Sequence, residues 1–133
     1  MTTWIIPCNV RFFDIEAFLN SGHDEVVWQT ASEMKINEPV YIYLAGGPSE
    51  IRYKGYIKEI NLDEKTIQEN SYAIRFTKQQ KNYVLIKIEH SFSNKALSLN
   101  NLREHGLKQY QRQSRASNEL IEYIELAGND NKS

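Results

Sequence analysis

Along Val40-Tyr41-Ile42-Tyr43-Leu44-Ala45 the side chains alternate, with Val40, Ile42 and Leu44 on one face and Tyr41 and Tyr43 on the other. A period of two marks a strand whose faces meet different surroundings. Asn37-Glu38-Pro39 is the turn signal before it. Gly46-Gly47-Pro48-Ser49 breaks the chain after it, and a long strand resumes from Ile51 to Leu62. Ile51, Tyr53, Gly55 and Ile57 alternate there with Arg52, Lys54, Tyr56 and Lys58, so both faces are mixed. Gly55 in mid-strand predicts a bulge or a barrel corner. Tyr83 to Phe92 is a further strand, with Val84, Ile86 and Ile88 on one face. The opening Trp4-Ile5-Ile6-Pro7 predicts a first strand ended by its proline, and Val26 to Ser32 has a strand-like run centred on Trp28.

Helical spacing is confined to short pieces. Phe12, Ile15 and Leu19 recur at intervals of three and four before Gly22, which predicts a short helix with a glycine stop. Ser98 precedes a second helical pattern through Leu99, Leu102 and Leu107, with Gly106 in the left-handed cap position after His105. Ser117 caps a last helix in which Leu120, Ile121 and Ile124 face inward and Gly128 is the stop. Lys108 to Arg115 has no apolar period and is expected to be a loop. Asp63 to Asn82 is polar, with a short extended piece at Tyr72–Phe76. Strands with glycine corners and one helix between the first two strands imply an α+β fold: a partly closed mixed β-barrel with helices over its ends. Residues 1–128 are expected to form one domain and 129–133 a disordered tail.

Composition narrows the class. With 133 residues, 41% hydrophobic and 25% charged, the chain is that of a globular protein. No apolar run reaches the ~20 residues of a membrane span, and no signal-peptide pattern opens the chain. Cys8 stands alone, which excludes an intramolecular disulfide or a cysteine metal site and suits a reducing cytoplasm. The net charge of -1 is uneven: residues 1–73 carry -5 and residues 74–133 carry +4. Such a chain is not built for salt-driven coating of nucleic acid, but its basic part can make a few phosphate contacts.

Two stretches carry candidate chemistry. Trp28 is followed at once by Gln29, Thr30 and, two residues on, Ser32. An aromatic face beside polar groups suits one extruded nucleobase, stacked on its plane and hydrogen-bonded at its edge. The plain alternative is a core tryptophan. Arg112, Gln113, Ser114 and Arg115 form the best phosphate-binding loop, because arginine suits bidentate phosphate contacts; a solvated loop is the alternative. His23, His90 and His105 lack metal-ligand spacing, and no triad order is present, so no cofactor or metal is expected.

The opening Trp4-Ile5-Ile6-Pro7-Cys8-Asn9 resembles the start of EVE domains, members of the PUA-like superfamily with the YTH and ASCH domains. Val27-Trp28-Gln29-Thr30, Glu38-Pro39-Val40-Tyr41-Ile42-Tyr43 and Ile51 to Ile60 are similar to that family's strands. Leu102 to Leu107 and Gln111 to Ile124 resemble the closing segment of bacterial EVE-type proteins. The resemblance runs from about Thr3 to Leu126, through the order of the motifs rather than any single one. It implies a PUA-like barrel that recognises a modified base in DNA or RNA, with Trp28 as one wall of an aromatic cage. No second tryptophan follows the Gly55 strand, so Tyr72, Phe76 and Tyr53 are the candidates for the opposite wall. Asn9, Gln29, Thr30, Ser32 and Ser49 are candidate edge contacts, and Tyr43 and Tyr53 candidate pocket linings. Two other readings stand beside a binding module without catalysis: an ASCH-like nuclease or other RNA-processing enzyme, and a protein-interaction module on the same barrel.

Overall fold

The two faces read from Val40 to Leu44 become the two faces of one sheet. In the computed structural model, which describes residues 1–30, 33–63, 65, 82–93 and 95–129, six strands form it. They are β1 (Trp4–Asn9), β2 (Glu25–Thr30), β3 (Pro39–Ala45), β4 (Glu50–Glu59), β5 (Asn82–Ser91) and β6 (Ser114–Arg115). The α-helices described in full are α1 (Ile15–Asn20), α2 (Leu99–Glu104) and α3 (Asn118–Asn129). The strand order is β2-β5-β4-β3-β1-β6, with only the β1–β3 pair parallel. The sheet curls into a half-barrel whose edge strands are joined by a side chain. The Gln113 amide donates to the Gln29 carbonyl at 2.8 Å and accepts from the Thr30 hydroxyl at 2.5 Å.

The inner face packs Ile6, Cys8, Val26, Val40, Ile42, Leu44, Ile57, Val84 and Ile86, and α1 adds Ile15, Phe18 and Leu19. The outer face presents Ile5, Tyr41, Tyr43 and Ile51 to Leu102, Leu107, Leu120, Ile124 and Ala127. Each fully buried aliphatic side chain contributes about 1.5–3 kcal/mol. α3 is also tied down by polar contacts. The Tyr41 hydroxyl donates to Glu125, and Lys54 Nζ meets the other carboxylate oxygen at 3.0 Å. Burial, then the Glu125 carboxylate, push the Tyr41 phenol far up.

Bulges decide which face β4 and β5 present. Ile42 pairs with Tyr53 but Tyr43 pairs with Ile51, so Arg52 is passed over in the ladder. The extra residue puts Ile51 on the outer face with Tyr43 and Tyr53 on the inner face with Ile42. Between Lys54 and Gly55 the partner strand skips Glu89. Gly55 marks the bulge its position predicts: a Cβ there would lie 2.1 Å from the Lys87 carbonyl oxygen.

Several local expectations change. Pro7 lies inside β1, opposite Tyr43. It is tolerated because β6 reaches only Trp4 and Ile5, which leaves one edge of β1 without a strand at Pro7. Phe12 precedes α1, whose N-cap is Asp14, bonded to the Ala17 N–H at 3.0 Å. α2 ends at Glu104, before Leu107. Ser114–Arg115, expected to be loop, is strand β6 paired with β1. Gly128 does not stop α3 but lies within it, where a Cβ would meet the Phe92 ring at 2.5 Å. Gly106 has the left-handed backbone expected of it, and the Ser117 hydroxyl accepts from the Leu120 N–H at 3.2 Å, as a cap should. Ser32, the Tyr72–Phe76 piece and the tail beyond residue 129 lie outside the described residues.

Candidate functional site

A cavity of about 410 Å³ opens where β1 and β3 end side by side. The parallel register sets Asn9 beside Ala45, and Pro7, Asn9, Tyr43 and Ala45 form one wall. Gly46 and Ser49 come from the β3–β4 turn, Leu99 from the start of α2, and Tyr110 and Gln111 from the segment before β6. The Tyr43 and Tyr110 rings stand 6.1 Å apart at 55°. Burial, against the Ser49 hydroxyl bonded to it, pushes the Tyr43 phenol above its usual range, and Tyr110 adds to that shift. Tyr43 is therefore a neutral, polar-tipped wall. Ser49 is fixed by its backbone: φ is 55°, its N–H donates to Leu44 at 2.8 Å, and its carbonyl accepts from Leu99 at 2.8 Å.

Two arginines touch residues of the cavity lining, and a third is next to it in the sequence. Arg11 Nε donates to the Gly46 carbonyl at 3.2 Å. The Arg103 guanidinium lies 5.9 Å from the centre of the Tyr110 ring. Arg112 follows Gln111 and is exposed. A polar aromatic slot with guanidinium groups on two of its lining residues can hold a flat ring and the anionic groups attached to it.

The sequence candidates are thereby divided. Asn9, Tyr43 and Ser49 share the cavity. Trp28 and Thr30 belong to β2, where Trp28 is half-buried against the inner core and 6.4 Å from the Phe13 ring. Gln29 is half-buried beside them. Two segments connect β2 with the cavity. The turn from Asn9 to Phe13 starts in the cavity wall and ends against Trp28. The segment from Tyr110 to Gln113 starts in the same wall and ends on Gln29 and Thr30. Tyr53 stands apart: it lines a second cavity of about 400 Å³, between α1 and the bulged parts of β4 and β5.

In the expected phosphate loop Arg112 and Arg115 are exposed, and the residues between them make framework contacts. Gln113 bridges to β2, the Ser114 hydroxyl donates to the Gln109 carbonyl at 3.3 Å, and the Arg115 guanidinium lies 5.5 Å from the Trp4 ring centre. Trp4 is buried and donates to Glu38 at 2.9 Å. Burial opposes the Glu38 charge, but the bonds from Trp4 and from the Lys35 and Thr2 backbone hold its carboxyl below the usual range. Tyr110, Arg11 and Arg103 were not among the sequence candidates. Tyr110 had a signal: it is the one aromatic within the polar run Lys108 to Arg115.

Cys8 is buried, and desolvation, then Asp14, pushes its thiol up to about 12, far from thiolate chemistry at neutral pH. His23 stacks on Phe18, His90 meets Phe92 edge-on, and His105 stacks on Tyr123 at 3.7 Å. Among the described residues, no three His, Cys, Asp or Glu gather as a metal site, and no helix is long and apolar enough to cross a membrane.

No protein-family model matches the chain, and no curated protein sequence matches it. Solved structures do. ASCH from Zymomonas mobilis matches with a TM-score of 0.65 at 9% identity, covering 93% of this chain and 94% of its own. Rpa0253 from Rhodopseudomonas palustris matches at 0.65 with 12% identity, covering 100% and 97%. Atu2648 from Agrobacterium tumefaciens matches at 0.64 with 10% identity, covering 96% and 94%. At such identities the likeness is one of fold. The class is accordingly one of fold: an α+β half-barrel similar, along nearly the whole chain, to that of ASCH from Zymomonas mobilis.

Proposed function

We propose that this domain binds nucleic acid and holds one extruded, modified base in the cavity lined by Tyr43 and Tyr110, as an EVE-type reader rather than a catalyst. The observation that carries the reading is that cavity, of about 410 Å³, with Arg11 and Arg103 on its lining residues Gly46 and Tyr110. Ligand pockets span roughly 300–1,000 Å³, so this one has room for a single substituted ring rather than a length of chain. Tyr110 supplies a stacking face, and Asn9 and Gln111 offer both donors and acceptors to a base edge. Arg112, exposed and next in sequence to the lining residue Gln111, is available to a backbone phosphate. Trp28, at the far end of the Asn9–Phe13 turn, stacks on a flanking base with the part of its indole that faces solvent, next to Gln29.

The test is a fluorescence-anisotropy titration of oligonucleotides that differ only in one base, modified or unmodified, as DNA and as RNA. One modified base is expected to outbind its unmodified control. Asn9→Ala and Tyr110→Ala are expected to remove that preference, and Arg112→Gln to lower the slope of log affinity on log salt by about one. Equal affinity for every oligonucleotide, or a preference that survives both cavity variants, overturns the reading. Cleavage of any oligonucleotide in the same samples overturns a role limited to binding.

A further inference from the structure

The polar groups around the cavity are not divided evenly between donors and acceptors. Asn9 brings one of each, but the two are not equally open. Its amide oxygen accepts from the Arg11 N–H at 3.0 Å and is crowded by Gly46, where a Cβ would stand 2.5 Å from it. Its amide nitrogen has no hydrogen-bond partner among the described residues. Main-chain acceptors of the same wall are engaged as well. The Ala45 carbonyl accepts from the Val10 N–H at 3.0 Å, the Gly46 carbonyl from Arg11 Nε at 3.2 Å, and the Ser49 carbonyl from the Leu99 N–H at 2.8 Å. The Tyr43 and Ser49 hydroxyls share one hydrogen bond and own two protons, so one O–H is left to donate whichever way that bond runs. Arg11 and Arg103, on the lining residues Gly46 and Tyr110, add positive charge and further N–H groups.

We propose that this cavity selects a base with a carbonyl oxygen on the edge that meets Asn9, of the uracil, thymine or guanine kind, over adenine or cytosine, which carry an amino group there. The inference rests on the base-binding reading and deepens it by naming the class of base. A carbonyl oxygen accepts from the Asn9 NH2 group and from the spare O–H of the Tyr43–Ser49 pair, and the guanidinium charges favour the same electronegative edge. An exocyclic amino group in its place sets donor against donor at Asn9 and leaves N–H groups without acceptors, which weakens binding. The choice concerns one edge, so it holds for a ring that also carries a modification elsewhere.

Oligonucleotides that differ only in this group test it by fluorescence anisotropy. The probes carry 5-methyluracil or 5-methylcytosine, hypoxanthine or adenine, or an abasic site as control, each as DNA and as RNA. The carbonyl member of each pair is expected to bind about tenfold tighter than the amino member. Asn9→Asp keeps an oxygen for the Arg11 N–H but puts an acceptor where the NH2 group stands. It is expected to erase the preference, and because Asn9 is exposed and the turn bond is kept, its thermal unfolding is expected to match the wild type. If the amino members bind the wild type as tightly as their carbonyl partners, or the preference is undiminished in Asn9→Asp, the donor reading is wrong. The base pocket then stands as long as both members outbind the abasic control. If neither member outbinds that control, the base pocket fails and the selection with it.

Discussion

Replacing Gln113 by alanine removes a side chain that joins the two edges of the half-barrel. Two hydrogen bonds disappear: the amide N–H to the Gln29 carbonyl, at 2.8 Å, and the Thr30 hydroxyl to the amide oxygen, at 2.5 Å. Each neutral bond of this kind contributes about 0.5–1.5 kcal/mol net, and their sum is about 1–3 kcal/mol. The middle of that range, about 2 kcal/mol, is expected for two bonds at a buried strand end. Urea denaturation followed by circular dichroism measures it. With a slope of about 2 kcal/mol per molar, a loss of about 2 kcal/mol lowers the midpoint by about 1 M. Amide hydrogen exchange adds the location: the end of β2 and strand β6 should exchange faster, while the centre of β3 and β4 changes only with global stability. Gln113→Glu sharpens the case, since it keeps an acceptor for Thr30 but sets a carboxylate against the Gln29 carbonyl, and it should be no more stable than the alanine variant. A Gln113→Ala protein within about 0.5 kcal/mol of wild type, with unchanged exchange at β2, would refute the bridge as a closing element.

Two further changes probe the framework. Gly55→Ala places a Cβ at 2.1 Å from the Lys87 carbonyl oxygen and 3.2 Å from the Ile88 Cα, both backbone atoms that no rotamer moves. The loss should reach or exceed the ~3 kcal/mol upper end of ordinary overpacking, and an unshifted urea midpoint would show that the two strands part easily. Glu38 gives a pH dependence. Its folded carboxyl titrates below the usual value, so it contributes stability above the unfolded carboxylate pKa of ~4.3, and that stability is lost as pH falls through the lowered folded value. Trp4→Phe removes the indole donor, which should raise the folded Glu38 value and shrink its share of the acid destabilisation. Urea midpoints from pH 7 to pH 3 that fall in parallel for the two proteins would count against this role of Trp4.

The candidate site was legible only in pieces. Asn9, Tyr43 and Ser49 were recognisable as polar or aromatic residues near strand ends, and the structure gathers them at one cavity. Their meeting depends on the parallel β1–β3 register, which joins residues 36 apart in the chain at each position of the ladder, such as Asn9 and Ala45. Tyr53 has the same chemistry as Tyr43 but reaches a different cavity, because the Arg52 bulge turns it to the inner face. A bulge is a property of the paired ladder, and strand alternation read alone assumes it is absent. Gln113 and Ser114 of the expected phosphate loop are hydrogen-bonded to Gln29 and Gln109, while Arg115 lies exposed over Trp4. Arg11, Arg103 and Tyr110 complete the surroundings of the cavity from three distant segments.

What the sequence by itself determined are the features that arise within a few residues. Alternation from Val40 to Leu44 separates two faces because successive strand side chains point opposite ways, and both core clusters follow it. Ser117 caps a helix and Gly106 takes a positive φ because capping and left-handed turns are local chemistry. The tertiary structure alone decided the uses of Pro7 and Gly128. Pro7 sits mid-strand because one edge of β1 is bare there, and Gly128 sits in a helix because Phe92 occupies the space of a side chain. It decided, too, that one tryptophan is enclosed by Glu38 and Arg115 while the other is only half covered at the barrel edge. Both are the same residue in similar strands; burial is set by what the rest of the chain brings to each, and that depends on long-range packing rather than local pattern.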